Sequence, residues 1–137
     1  MKNIVLDASA LLRFVDNETG SERVAEYLQK ALGAELAVLI SSVNWGEVVY
    51  SVLKAHGEKA SSFVSELKGL PIEIVPASIE RAEDAARFKH THGIPYADAF
   101  AGSLAMEMRA RLVTTDYDFH GISPTGMQIE LLPAKRK

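Results

Sequence analysis

Short apolar runs set between longer segments of helical spacing restrict the fold of this chain more than any other feature. Ile4-Val5-Leu6 and Leu36-Ala37-Val38-Leu39-Ile40 are continuous apolar runs of strand length, the second within a strand expected from Glu35 to Ser41. Glu73-Ile74-Val75, Arg111 to Thr114 and Ile129-Glu130-Leu131-Leu132 read as three more strands. Between them, Ala8 to Val15 reads as one or two helical turns, and Asp16 to Gly20 as a loop. Ser21 is the expected cap of a helix that runs to Leu32 and stops at Gly33. Further helices are expected from Val43 to His56, Glu58 to Lys68, Ser78 to about Thr91 and Ala97 to Arg109, with Gly57, Gly69 and Gly93 ending the first three. Strands alternating with helices at these spacings predict an α/β fold, with a mainly parallel five-stranded sheet flanked by helices.

The 137 residues suit one domain spanning 1–137, and no internal repeat or linker divides them. No apolar run approaches the roughly 20 residues of a membrane-spanning helix, and Asp7 interrupts the start before a signal-peptide core could form. The expected location is the cytoplasm, with no membrane partner. The chain has no cysteine, which excludes disulfides, thiolate metal sites and cysteine nucleophiles. A net charge of −3 argues against gripping nucleic acid by bulk electrostatics. It leaves room for chemistry at one site where cations sit between carboxylates and phosphates.

Four carboxylates are placed where such a site forms. In a parallel sheet, ligands bind beyond the carboxyl ends of the strands. Asp7 follows the first strand, and Asp116 follows Leu112-Val113-Thr114-Thr115. Glu47 lies one turn into the helix after the second strand, three residues beyond Asn44 and on the same face. That helix is apolar nearly all round, through Val43, Trp45, Val48, Val49 and Tyr50, so a carboxylate within it needs a reason. Asp98 opens a helix rich in small residues, Ala97 to Ala105. Taken singly, each acid has an ordinary explanation as a turn former, a helix cap or a charge favoured by the helix dipole. Gathered together they would repel one another, and a hard cation such as Mg²⁺ would relieve the repulsion.

The four stretches carrying these acids resemble the ordered motifs of PIN-domain nucleases. Ile4-Val5-Leu6-Asp7-Ala8-Ser9 is similar to the opening motif, Asn44-Trp45-Gly46-Glu47-Val48 to the second, Tyr96-Ala97-Asp98-Ala99 to the third, and Leu112 to Phe119 to the fourth. Order, spacing and length resemble the VapC group, the toxin half of toxin–antitoxin pairs. The resemblance implies an endoribonuclease with Asp7, Glu47, Asp98 and Asp116 around Mg²⁺ or Mn²⁺. It further implies hydrolysis of RNA by a metal-activated water, leaving 3′-hydroxyl and 5′-phosphate ends. Ser9 and Thr115 match supporting or substrate-contacting hydroxyl positions, and Asp118 matches a position where an acid assists only some members. A homodimer and a small antitoxin partner, its tail across the acidic groove, are implied as well.

Other residues carry weaker signals. His56, His90, His92 and His120 lie at helix ends or in a loop, where structural roles suffice. Arg13 can face the groove or serve as a surface or capping residue. Lys54, Arg87, Lys89, Arg109 and Arg111 are candidate phosphate contacts, and Trp45 and Tyr96 candidate base-stacking residues. Trp45 fits the core or a dimer interface better. The terminal Ala134-Lys135-Arg136-Lys137 reads as a frayed basic tail. A receiver-like signalling domain would need an acidic pair after the first strand and a lysine after a late one. An aspartyl phosphatase would need an acid where Ser9 stands. A non-catalytic RNA-binding protein of the same fold remains the alternative that the intact quartet counts against.

Overall fold

The computed structural model describes residues 2–119, 121–122 and 127–135. Five strands, β1 (Lys2–Leu6), β2 (Leu36–Ser41), β3 (Ile72–Val75), β4 (Arg111–Thr114) and β5 (Gln128–Leu131), form one sheet in the order β3-β2-β1-β4-β5. Every neighbouring pair is parallel. Among the described residues six α-helices accompany them: α1 (Ala8–Val15), α2 (Ser21–Leu32), α3 (Ser42–His56), α4 (Ala60–Lys68), α5 (Ile79–His92) and α6 (Tyr96–Glu107).

Helices on both faces explain why the strands read as unbroken apolar runs. Side chains alternate across the sheet. Ile4, Leu6, Val38 and Ile40 pack with Leu11, Val24, Leu28 and Val48 from α1, α2 and α3. Val5, Leu39 and Leu112 pack on the other face with Phe88, Phe100 and Leu104 from α5 and α6. The last two helices approach closely because Gly102 has no side chain: a Cβ there would stand 2.5 Å from Cζ of Phe88.

The chain leaves β1 towards β2 on one side, and later returns to place β4 on the other. The carboxyl ends of β1 and β4 therefore flank the point where strand order reverses, the place where open α/β sheets bind ligands. Asp7 and Asp116 follow those two ends.

Several sequence expectations are corrected in detail. Gly20, at φ 93°, caps α2 in place of Ser21, which is its first helical residue; a side chain at 20 would crowd Leu132. The helix expected from Glu58 begins at Ala60, after a short 3-10 turn. The helix α3 is not enclosed all round. Asn44, Val48 and Val52 form its buried stripe, while Tyr50 and Leu53 are exposed. No helix among the described residues is long and apolar enough to cross a membrane.

Candidate active site

Asp7, Glu47, Asp98 and Asp116 line a single cavity of about 600 Å³ at the carboxyl end of the sheet. Ser9, Leu12, Val43 and Tyr50 share its wall. The four acids come from just past the ends of β1 and β4 and from α3 and α6, segments far apart in sequence that the parallel topology brings to one edge.

Asp7 is the most enclosed, at 2% exposure. Its Oδ1 accepts from the Ser9 hydroxyl at 2.7 Å and from the Ala10 N–H at 2.9 Å, and its Oδ2 accepts from the Thr114 hydroxyl. It therefore caps α1, as an aspartate after a strand often does, while also facing the cavity. Burial pushes its carboxyl above the usual carboxylate range, with the charge of Asp116 adding to the rise; the three donors oppose both.

The Thr114 hydroxyl also accepts the Asp116 N–H at 2.9 Å, so one side chain joins the ends of β1 and β4. The resemblance to PIN-domain nucleases implies a supporting hydroxyl one residue later, at Thr115. Thr115 instead donates its backbone N–H to the Ser9 hydroxyl at 3.1 Å. The available signal for Thr114 was a hydroxyl at the end of a buried strand, since such a group needs a partner.

Asp116 accepts the Asp118 backbone N–H on Oδ1 at 2.8 Å. The Asp118 side chain is exposed and does not line the cavity. Glu47 is exposed and accepts from Asn44 Nδ2 at 3.0 Å, while the same amide donates to the Ala97 carbonyl at 3.0 Å. Asn44 is fully buried and ties Glu47 to the first turn of α6, where Asp98 sits. Its own Oδ1 has no hydrogen-bond partner among the described residues.

Asp98 does not cap its helix. Pro95 occupies the cap position, and no side chain satisfies that end. Half-buried, Asp98 has its carboxyl pushed up to about 7, first by burial, then by Asp116 within hydrogen-bonding reach, then by the charges of Asp116, Asp7 and Glu47. A carboxyl raised by burial and by three neighbouring carboxylates marks a place where a cation is favoured.

The donor set is all oxygen, which suits Mg²⁺ or Mn²⁺. Among the described residues no three carboxylate or imidazole groups converge tightly enough to cage an ion unaided. Mg²⁺ does not need such a cage, because it usually keeps several waters and takes only one or two carboxylates directly. The residues present therefore fit an open, partly hydrated cation.

The remaining candidates lie elsewhere. Arg13 is buried and donates to the carbonyls of Thr19 and Pro133, both at 2.7 Å, so it anchors the chain's end rather than facing the groove. His56 stacks on Phe63 and His92 lies against Phe88, while His120, Arg136 and Lys137 fall outside the described residues. Lys54 sits over the Tyr50 ring, Arg87 pairs with Asp84, and Lys89 donates to the Ile94 carbonyl. Trp45 is half-buried against the core. Tyr96 donates to the Ala82 carbonyl and packs on Phe100. Lys135 is held by Glu18 at 2.9 Å rather than frayed.

The fold is similar to that of VapBC2 from Rickettsia felis bound to a promoter DNA fragment, at a TM-score of 0.70 and 17% identity over 96% of this chain and 99% of that one. It is likewise similar to the sarcin–ricin-loop-cleaving toxin VapC20 of Mycobacterium tuberculosis, at 0.69 and 15% identity over 95% and 99%. A toxin–antitoxin complex from Klebsiella pneumoniae matches at 0.62 and 25% identity, over 90% of this chain and 94% of that one. No curated protein matches in sequence. The PIN domain family model matches residues 4–123, a span that contains all four cavity carboxylates and the four-residue hydroxyl-to-acid linkage from Ser9 to Asp7 and across through Thr114 to Asp116. With that match over most of its length, the chain belongs to the PIN-domain family.

Proposed function

We propose that the chain is a divalent-metal-dependent endoribonuclease, the toxin of a VapBC-type toxin–antitoxin pair. The observation that carries this reading is the single cavity lined by Asp7, Glu47, Asp98 and Asp116. Support also comes from the fold shared with VapBC complexes and with a toxin that cleaves the sarcin–ricin loop.

Asp7, Asp98 and Asp116, with Glu47 at the rim, would hold Mg²⁺ or Mn²⁺. Such an ion offsets phosphate charge and lowers the pKa of an attacking water. The chain's own contribution is placement. Thr114, Ser9 and the Ala10 N–H fix both oxygens of Asp7, the Asp118 N–H orients Asp116, and Asn44 holds Glu47. Burial and its acidic neighbours raise the Asp98 carboxyl to about 7, so a bound cation would favour its ionised form. The product ends are 3′-hydroxyl and 5′-phosphate. Tyr50, Leu53 and Phe63, exposed along α3 and α4, supply apolar surface for a second copy or the antitoxin, and the site of action is the cytoplasm.

The test is cleavage of structured RNA by purified protein. Cleavage is expected with Mg²⁺ or Mn²⁺, lost with chelator, and lost in Asp7→Asn and Glu47→Gln. Asp118→Asn is expected to keep it. Cleavage that persists with chelator present and in both inactive-site variants overturns the proposal.

A further inference from the structure

A second cleft, of about 650 Å³, opens at the amino end of the sheet, opposite the carboxylate cavity. The first residues of four strands, Lys2, Leu36, Arg111 and Gln128, line it together with α2 and the turn after α6. Five cations reach its wall: Lys2, Arg23, Lys30, Arg109 and Arg111. The carboxylates paired with them are Glu26 and Glu130, so positive charge is in surplus here although the chain carries −3 overall.

This wall is organised. Glu130 accepts from Arg23 Nε at 2.7 Å and Nη2 at 3.1 Å, and from the Tyr27 hydroxyl. Arg111 donates to the Tyr27 oxygen at 3.1 Å and to Gln128 Oε1 at 3.0 Å. Two guanidinium groups are thus fixed by two carboxylates, a phenol and an amide, while Lys2 and Arg109 form no ion pair among the described residues.

Arg109 adds an independent sign. It sits at φ 50°, in the left-handed turn that closes α6, where the Ala110 N–H reaches the Ala105 carbonyl at 2.8 Å. Glycine takes that conformation at least cost, yet an arginine occupies it; with Lys2 it makes two cations lining the cleft that form no ion pair among the described residues. Ile4, Leu36 and Met108 provide an apolar part of the same wall.

We propose that this cleft binds a phosphate-bearing nucleotide, with the cations on the phosphate and the apolar wall against the base or ribose. A volume of about 650 Å³ accommodates one nucleotide, and fixed guanidinium groups suit phosphate oxygens. The nucleotide is either a remote segment of an RNA chain or a free mononucleotide; the first source rests on the ribonuclease reading.

Binding is measured on the full chain with chelator present, using a fluorescent 12-nucleotide single-stranded RNA, AMP and a glutamate 12-mer as probes. The variant is Lys2→Ala with Arg109→Gly, and Arg109→Gly alone serves as the folding control because glycine suits that turn. The expected loss of nucleotide affinity in the double variant is about tenfold, with a salt dependence of RNA binding shallower by about one unit per removed cation. The melting temperature stays level or rises. RNA bound far more tightly than AMP identifies a chain segment, and equal affinity identifies a free nucleotide; either supports the site. Unchanged binding of both RNA and AMP by the double variant overturns it, as does a glutamate 12-mer that competes as well as RNA. Absence of RNA cleavage by the wild-type chain with Mg²⁺ or Mn²⁺ defeats the nuclease reading without touching this binding result, so the two failures are distinguishable.

Discussion

Replacing Thr114 with valine tests how the two strand ends are joined, because the substitution keeps shape and removes one hydroxyl. That hydroxyl donates to Asp7 and accepts the Asp116 N–H, and it is fully buried. Loss of a hydrogen bond to a charged group costs about 1.5–3 kcal/mol. The Asp116 N–H loses its partner as well, while the added methyl recovers about 0.8 kcal/mol of burial. A net destabilisation of about 2–3 kcal/mol follows, a fall of about 6–12 °C in melting temperature for a domain of this size. Thr115→Val is the matched control: Thr115 contributes a backbone N–H that valine retains, so its effect should stay within about 0.5 kcal/mol. Both variants are compared by urea and thermal denaturation. Equal destabilisation by the two, or none from Thr114→Val, refutes the assignment of Thr114 as the link.

In metal-free protein, stability should fall as pH rises from 5 to 8. Asp98 holds its proton more tightly folded than unfolded, so its contribution is complete below about 3.8 and lost as pH passes through about 7. Three units at about 1.4 kcal/mol each would give about 4 kcal/mol, and solvent screening at this half-open position reduces it to about 1–2 kcal/mol. Glu26 and Glu130 shift the other way, but their contributions are complete before this window begins. Asp98→Asn should flatten the slope, and a wild-type melting temperature that climbs from pH 5 to 8 would count against the assignment. Mg²⁺ should raise the melting temperature more at pH 8 than at pH 5, read by calorimetry. Gly102→Ala should cost about 1–3 kcal/mol by overpacking against Phe88, with part of the loss recovered in Gly102→Ala/Phe88→Leu; strict additivity of the two changes would refute the contact.

Strand positions and the parallel sheet were legible because a strand covered on both faces must be apolar throughout, as Leu36 to Ile40 is. Glu47 was legible as a directed side chain because three-residue spacing puts it beside Asn44, and the two are hydrogen-bonded. Which of two adjacent threonines faces Asp7 was not, since that depends on the parity of the pleat at the end of β4. The role of Arg13 was equally hidden, because its acceptors at Thr19 and Pro133 are set by tertiary packing. The apolar content of α3 was visible but not its division into a buried stripe and an exposed one, because composition does not say which face finds a neighbour. Asp98 looked like a cap by position, yet Pro95 fixes the start of α6 and leaves the carboxylate to the cavity. Arg109 and Arg111 were legible singly as phosphate contacts, but not the cleft that joins them to Lys2, Arg23 and Lys30, because these cations come from separate segments that only the sheet's amino edge assembles.

The central claim is that the four carboxylates hold the ion that RNA cleavage requires. Anomalous diffraction from crystals soaked in Mn²⁺, at a concentration that supports cleavage, locates that ion directly. The account predicts a peak in the cavity between Asp7, Asp98 and Asp116, lost in Asp7→Asn. A peak confined to another part of the surface, or an empty cavity beside active enzyme, would contradict it.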